Sequence, residues 1–421
     1  MVGVRVRAYR FRAYCSKTTA GVLEAQLQAA CRLYNTLLHA EEEEYKKNKH
    51  TMSRNELRQL ALDLRKRNTE LQALHSQVAQ QVAERFYQAR QRFFDGLANK
   101  PREKKPHKYL SLVYPQSGWR LSNIREVGQG GNKKKKKARL YLSKIGFFTL
   151  VIHREFPLNR VSQVCVKLNP SGRIFVVFLV DEPVGEGPGE PTGEAGKAVS
   201  VDVGIMRLVT LSDGRFLENP RPLERSLDRI RALQRSLSKK KFLSKNWFKA
   251  KTKLAKEYEY VEDFRRDLFF KLGVLLAQEY DQLILEDLNV KGLIRRGETR
   301  GRRLRLYDSS FSELRRILEW EFEKRGKAVL AVPAYNTSRE CFRCGGINRN
   351  LTLEDRVFRC PHCGFTLDRD LNACLVLLKR AGWVPPGVPV ELRPIPPLPS
   401  LGLKRRQGGA VMREAPPPGA G

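Results

Sequence analysis

Four cysteines stand in the pattern C-x2-C-x15-C-x2-C, at Cys341, Cys344, Cys360 and Cys363. Each pair presents two sulfurs from one tight turn, and two such turns close a tetrahedral S4 site suited to zinc. Gly345 and Gly364 follow the pairs, where a chelating turn needs a permissive backbone. Four thiolates fill the shell, so one zinc per chain would be structural, stapling a ribbon whose own core is too small to fold alone. An iron–sulfur cluster and unmetallated thiols are the competing readings. His362 lies inside the second pair, but a fifth ligand is unnecessary.

The segment LDRDLNA follows the last pair at once, bringing Asp368 and Asp370 close to the thiolates. Two other acids share an unusual setting. Asp202 interrupts the apolar run VSVDVGI, and Glu286 ends LILE with Asp287 beside it. A carboxylate inside an apolar strand is costly without a partner. Any one of these acids could cap a helix or pair with an arginine. Three of them, from two strands and a helix start, can instead converge at one end of a sheet. There they would hold two Mg²⁺ or Mn²⁺ ions about 3.5–4 Å apart, one activating water and one stabilising the leaving oxygen of a phosphodiester. Hard oxygen ligands suit those ions and not the soft thiolate site.

The rest of the chain must position these groups. It has 421 residues, enough for two or three domains, and at 41% hydrophobic it can bury real cores. Lys and Arg number 79 against 45 acidic residues, a net charge of +34 that favours a polyanion, above all nucleic acid, over a membrane surface. No apolar run is long enough to span a bilayer, and the N-terminus lacks a signal-peptide core. Both features point to a cytoplasmic protein, with thiols kept reduced and nucleoid association when DNA is bound. Cys15, Cys31, Cys165 and Cys374 fall outside the paired spacing; the first three read as buried or inert, and Cys374 opens a short helix.

Period-two alternation makes residues 4–14 a strand, and a helical region runs from about 20 to 100. Val78, Val82, Phe86 and Phe93 form its apolar stripe, beside Gln77, Gln80 and Gln81. Residues 104–120 interleave aromatic and basic side chains: Lys104, Lys105, Tyr109, Tyr114, Trp119 and Arg120 could meet unpaired bases, or form an ordinary basic sheet face. Residues 128–137, GQGGNKKKKK, read as a solvated turn, and strands follow with a hairpin turn at Asn169–Gly172. Residues 1–182 thus form a β-rich unit with a helical insert, and 183–196, built of Pro, Gly and Glu, form a flexible linker. Beyond it come strands with an Asp213–Gly214 turn, two helices (from 223 and from about 247), the strand before Glu286, a helix over 308–325 and a strand to Pro333. Residues 384–421 carry ten of the chain's 22 prolines and read as a disordered tail.

The blocks DVGIMRLVTLSDG, LILEDLNVKGL, TSRECFRCGG and FRCPHCGFTLDRDLNA, in this order, resemble the TnpB proteins, compact relatives of type V CRISPR effectors. QVAQQVAERF, YPQSGWRL, KIGFF and NPSGRIFVVF resemble that family's N-terminal half less specifically. The resemblance implies an α+β multidomain chain: a wedge β-barrel over 1–182 with a helical recognition lobe, then a RuvC-like nuclease on an RNase H-like fold. The nuclease would occupy 197–333 and 368–383, interrupted by a zinc ribbon over 334–367. The family's three metal-binding carboxylates fall on Asp202, Glu286 and Asp370, the last preferred to Asp368 because it stands two residues before Asn372. The ribbon ligands fall on the four paired cysteines. The implied activity is metal-dependent, RNA-guided cleavage of double-stranded DNA beside a short motif, with a guide RNA from the protein's own element and one protein copy per RNA. Gln77, Gln80 and Gln81 are the candidates for reading that motif. Two other readings compete: an RuvC-like nuclease or transposition factor that needs no RNA, and a guide-dependent DNA binder that does not cut. The large N-terminal half argues against the first, and the three retained acids against the second.

Overall fold

The computed structural model describes residues 4–127, 135–183, 196–295, 297, 299–352, 354–385, 387–389, 391–396 and 398. The chain divides into two compact units, 1–185 and 186–421.

The first unit begins with β1 (Val4–Tyr14), followed by α1 (Lys17–Asn48), α2 (Arg54–Arg67), α3 (Thr69–Gln72) and α4 (Ser76–Phe94). Six strands complete it: β2 (Ser111–Pro115), β3 (Trp119–Val127), β4 (Lys135–Leu142), β5 (Gly146–Ile152), β6 (Val161–Leu168) and β7 (Ile174–Pro183). The alternation in β1 buries Tyr9, Phe11 and Ala13 while arginines face outward between them. Ser16 caps α1, and Ser53 with Glu56 forms a capping box on α2. Arg90 of α4 pairs with Glu41 of α1 in the interior and donates to the Met52 carbonyl at 2.6 Å, so this buried charge pair is also hydrogen-bonded. Val78, Val82 and Phe86 lie in the core as the stripe predicts, but Phe93 is exposed at the end of α4.

The seven strands form one antiparallel sheet in the order β2-β6-β7-β1-β5-β4-β3. Among the described residues its end strands β2 and β3 share no ladder, so the sheet is a half-barrel and not a closed barrel. Three candidate nucleic-acid contacts are structural. Tyr109 and Tyr114 are buried in the core, and the Tyr114 hydroxyl donates to the Ser143 carbonyl at 3.0 Å. Trp119 packs on the same core with its ring 6.1 Å from Phe178. Period-two burial in β2 takes the Tyr114 ring inside with Leu112, and the turn before that strand delivers Tyr109 to the same core, which the local mix of aromatic and basic residues hides. The expected solvated lysine loop is also corrected in part: residues 135–137 belong to β4, and Lys136 pairs with Glu155 at 2.7 Å. The rest of that loop, residues 128–134, and linker residues 184–195 lie outside the described residues. Pro183 belongs to β7 and not to the linker.

The second unit opens with a meander: β8 (Ala198–Val203), β9 (Arg207–Leu211) and β10 (Arg215–Glu218). Two helices follow, α5 (Pro222–Ser238) and α6 (Lys245–Glu279), then β11 (Gln282–Asp287). Next come α7 (Val290–Arg295), α8 (Arg300–Ser309), α9 (Phe311–Glu323) and β12 (Ala328–Pro333). The helix expected over 308–325 is broken at Ser310, whose φ of 49° no helix tolerates. A small hairpin of β13 (Val357–Arg359) and β14 (Thr366–Asp368) leads into α10 (Arg369–Arg380), and β15 (Arg393–Pro394) closes the described chain. The sheet order is β12-β11-β8-β9-β10-β15. β12, β11 and β8 run parallel, and β8, β9 and β10 are antiparallel. Parallel strands need both faces covered. Helices α6 and α9 pack together beside the sheet, and α10 packs on β8 and β9. Among the described residues no helix is long and apolar enough to cross a membrane.

The end of the chain departs from expectation. Arg393 donates its N–H to the Gly214 carbonyl at 2.8 Å, and Ile395 to the Phe216 carbonyl at 2.8 Å. Ile395 is buried with the sheet core, and Leu398 packs against it. Gly214 sits at φ 83° in the predicted turn, and a Cβ there would lie 2.8 Å from Pro389. Prolines that suggest disorder here shape an extended edge segment; residues 399–421 lie outside the described residues. Ile395→Ala is therefore expected to destabilise the second unit by about 2–4 kcal/mol, whereas Val384→Ala, at an 86% exposed position, leaves it unchanged. Denaturant melts of the two variants check this, and equal midpoints would refute the packing assigned to Ile395.

Candidate active site

Strands β8 and β11 lie side by side and parallel, with Leu285 opposite Val201. One residue further, Glu286 stands level with Asp202, on strands about 4.8 Å apart. Helix α10 crosses the same strands. The Ser200 hydroxyl donates to the Cys374 carbonyl at 2.5 Å, and the Cys374 thiol donates to the Thr210 carbonyl at 3.1 Å. Asp370 precedes Cys374 by one helical turn and shares its face, so it reaches the strand ends beside Asp202. The structure thus brings Asp202, Glu286 and Asp370 together.

Their electrostatics record that approach. Asp202 is held well above the ordinary aspartate range, first by burial and then by the charges of Glu286 and Asp370. Arg369 and the Val203 backbone act against the shift. Burial also raises Glu286, opposed by a 2.6 Å hydrogen bond from the Thr337 hydroxyl and by Arg380. Like charges held this close without a counter-charge create demand for cations. The chain supplies part of it: Arg207 lies 2.8 Å from Asp368 and 3.5 Å from Asp370, and Arg369 lies 3.6 Å from Asp370. Asp368 has a different employment. Its carboxylate caps α10, accepting from the N–H groups of Asp370 at 3.0 Å and Leu371 at 3.2 Å.

Two polar residues of this site escape a reading of the sequence. Thr337 sits in a loop with no periodicity, and its burial shows only in the fold. Arg207 falls five residues after Asp202; the short β8–β9 connection that folds it back is the signal that could have located it. Arg207, Arg221, Arg225 and Arg356, with Asp370, line an open cleft of about 760 Å³.

The cysteine ribbon adjoins this site through α10. The four Sγ atoms all lie within 4.8 Å of one another, with Cys341–Cys363 at 3.7 Å and Cys344–Cys360 at 3.5 Å. Zinc–sulfur bonds of about 2.3 Å in a tetrahedron require sulfur separations near 3.8 Å, so the cluster fits the ion. Gly345 and Gly364 take φ values of 75° and 72°, as the knuckle turns require. Burial resists ionisation of Cys360, but N–H groups of Cys363 and His362 and the neighbouring thiols hold it down at about 6; burial sends Cys341 up to about 12. Asn372 locks the ribbon to α10: it is fully buried, accepts from the Phe342 N–H at 3.1 Å and donates to the Glu340 carbonyl at 2.7 Å.

The other sequence candidates lie in the first unit. Gln77 accepts from the Ser117 N–H at 3.0 Å, which ties it to the β2–β3 turn. Gln80 and Gln81 are half-buried on α4, and Lys104, Lys105 and Arg120 are exposed.

Residues 163–297 match the family model described as "Probable transposase", and residues 311–377 match the "Cas12f1-like, TNB domain" model. The chain is 26% identical over 315 residues to the "Putative RNA-guided DNA endonuclease InsQ" of Escherichia coli K12, covering 72% of this chain and 74% of that protein. It is 30% identical over 216 residues to a "Putative RNA-guided DNA endonuclease" of Streptomyces pristinaespiralis, and there the match spans 51% of this chain and only about half, 52%, of the relative. The chain is similar to the TnpB proteins. A solved Cas12f1 structure, determined with sgRNA and target DNA, shares the fold at a TM-score of 0.55 and 14% identity, over 89% of this chain and 98% of the Cas12f1 chain.

Two outcomes follow for this protein. Purified chain is expected to carry one zinc by elemental analysis, and Cys360→Ser to lose it with a lower melting temperature; a full complement of zinc in the variant would exclude the S4 site. The raised pKa of Asp202 carries a definite sign. Such a carboxyl favours the fold while protonated and loses that contribution as pH rises from its unfolded value near 4 through its folded one. Asp202→Asn should therefore raise the melting temperature at pH 7.5 without added divalent cation by about 2–5 °C, a gain that vanishes near pH 4. Scanning fluorimetry at both pH values measures it, and a fall at pH 7.5 would contradict the repulsion.

Proposed function

We propose that this protein is an RNA-guided DNA endonuclease whose RuvC-like centre is formed by Asp202, Glu286 and Asp370. The observation that carries the reading is the meeting of these three carboxylates, from β8, β11 and α10, beside an arginine-lined cleft. Two Mg²⁺ or Mn²⁺ ions bound by the three acids would supply activated water and a clamp on the leaving oxygen of a phosphodiester. Thr337 fixes one oxygen of Glu286 and leaves the other for a ligand. Arg207 shields Asp368 and Asp370 from each other and, at the cleft wall, is placed to exchange a carboxylate for a phosphate. The occupation of Asp368 as a helix cap supports Asp370 as the third acid. The mixed sheet order β12-β11-β8-β9-β10 supports an RNase H-like core, and the first unit is its wedge and recognition portion.

The basic chain suits the energetics of guided recognition. Exchanging a DNA duplex for an RNA–DNA duplex is nearly balanced, so backbone contacts tip it while base pairing carries the sequence. The net charge of +34 supplies such contacts. The guide would come from the flanking element and the target would be double-stranded DNA, as resemblance to the named endonucleases suggests.

The deciding experiment expresses the chain with its native flanking DNA, sequences the co-purifying RNA and tests cleavage of a matched duplex. A discrete RNA ending at the element boundary and Mg²⁺-dependent cutting are expected. Asp202→Ala, Glu286→Gln and Asp370→Asn should each lower the cleavage rate by at least about 10³-fold and preserve guide-dependent DNA binding. Cleavage without RNA would favour a structure-directed nuclease, and binding without any cleavage by the wild type would favour a silent DNA binder.

A further inference from the structure

Helices α5 and α6 form a hairpin braced by Arg229–Glu257 at 3.0 Å and Gln234–Tyr258 at 3.1 Å, with Ile230 and Val261 in its seam. Its root belongs to the cleft, because Glu224 and Arg225 are among the lining residues. Its tip does not. At 1.5 Å per residue, the run from Leu223 to Lys239 carries the tip about 24 Å away from that wall.

The tip has an unusual surface. Phe242 is 62% exposed, Leu243 51% and Phe248 43%. The ring of Trp247 stands between the two phenylalanines, 5.1 Å from each. Leu243 has a φ of 62°, a left-handed conformation that bulky residues rarely adopt, and it turns an apolar side chain toward solvent. Between Asp228 and Glu257 the sequence holds eleven basic residues and no acidic one. Lys239, Lys240, Lys241, Lys245 and Lys249 flank the aromatic residues in sequence, and among the described residues none of the five has a carboxylate within ion-pair distance. The two rings touch Trp247 edge-on at the hairpin tip, away from the seam, and keep much of their surface in solvent.

We propose that this tip is a grip for unpaired nucleotides, with bases stacking on Phe242 and Phe248 and phosphates held by the flanking lysines. Charge alone would suit any polyanion. The exposed rings select single strands, because in a duplex the base faces are already stacked on one another. The distance from the cleft makes this a holding contact remote from the scissile bond. The proposal deepens the nucleic-acid reading above and rests on it for its biological setting. Two sources offer the same chemistry, an unpaired part of the guide RNA and a DNA strand released from its duplex.

The test uses the full chain and fluorescence anisotropy with three probes: U20 RNA, dT20 DNA and a mixed-sequence DNA duplex of about 20 base pairs, long enough for a single-strand site. Phe242→Ala/Phe248→Ala is expected to weaken binding of at least one single strand about tenfold, while duplex affinity changes by less than about twofold and the salt slope is kept. Lys239→Ala/Lys240→Ala/Lys241→Ala should weaken all three probes and flatten the salt dependence. The larger aromatic effect, on RNA or on DNA, identifies the source. Equal losses on duplex and single strands, or no loss, would overturn the grip. Unchanged thermal melts of these surface variants would exclude misfolding. A failure of the grip is separable from a failure of the guided-nuclease reading: a wild type that cuts with its guide and aromatic variants that bind normally would sink the grip alone.

Discussion

The closeness of Glu286 and Asp202, each one residue beyond the last paired residues of two parallel strands, is the constraint around which the second unit is arranged. Parallel neighbours place equivalent residues on the same side of the sheet, so two carboxylates are driven together by backbone register and not by side-chain choice. Their repulsion would relax if either strand could shift. It cannot, because β11 is held between β8 and β12 and its interior residues, Leu283 to Leu285, are buried. The fold supplies the energy that keeps like charges close, and a cation would return it. The proposed function at this position would thus be obtained at the expense of stability, a common pattern at active sites.

The third acid depends on a longer chain of contacts. Asp370 is placed by α10, and α10 is fixed from both sides. Cys374 and Ser200 join it to the sheet, while Asn372 and Lys379 join it to the ribbon, the latter through the Phe342 carbonyl at 3.1 Å. Metal at the sulfurs would rigidify the knuckle that Asn372 holds. The ribbon is accordingly a positioning element for a carboxylate on the next helix, which gives a physical reason for its insertion at this point of the chain. It also answers why thiolates and acids stand so near each other: one group sets the frame for the other.

Much of this was legible beforehand. The S4 spacing, the strand β1, the Asp213–Gly214 turn and the acids in apolar strands are local signals, and each reports its own surroundings directly. What failed depended on distant partners. Tyr109, Tyr114 and Trp119 stand among lysines in the sequence but are claimed by a core assembled from strands far away. Residues 391–398 show no period, because their partner is a strand about 180 residues earlier. The αL break at Ser310 lies between two stretches of good helix-forming residues. Thr337 and Arg207 act through geometry that no spacing rule encodes.

The short strand at the chain's end has a further consequence. Sheets are vulnerable at their margins, where unpaired N–H and C=O groups can recruit a foreign strand. Here the β10 margin is covered by Arg393–Pro394 from the same chain, and a proline with no N–H now occupies the outermost row. The segment therefore acts as a selvedge: it finishes the sheet with a residue that cannot extend it. A chain shortened before Arg393 would keep Asp202, Glu286 and Asp370 and yet lose the buried Ile395 and present a bare, half-apolar margin to its neighbours. Stability and solubility would suffer together, with the three carboxylates still in the chain.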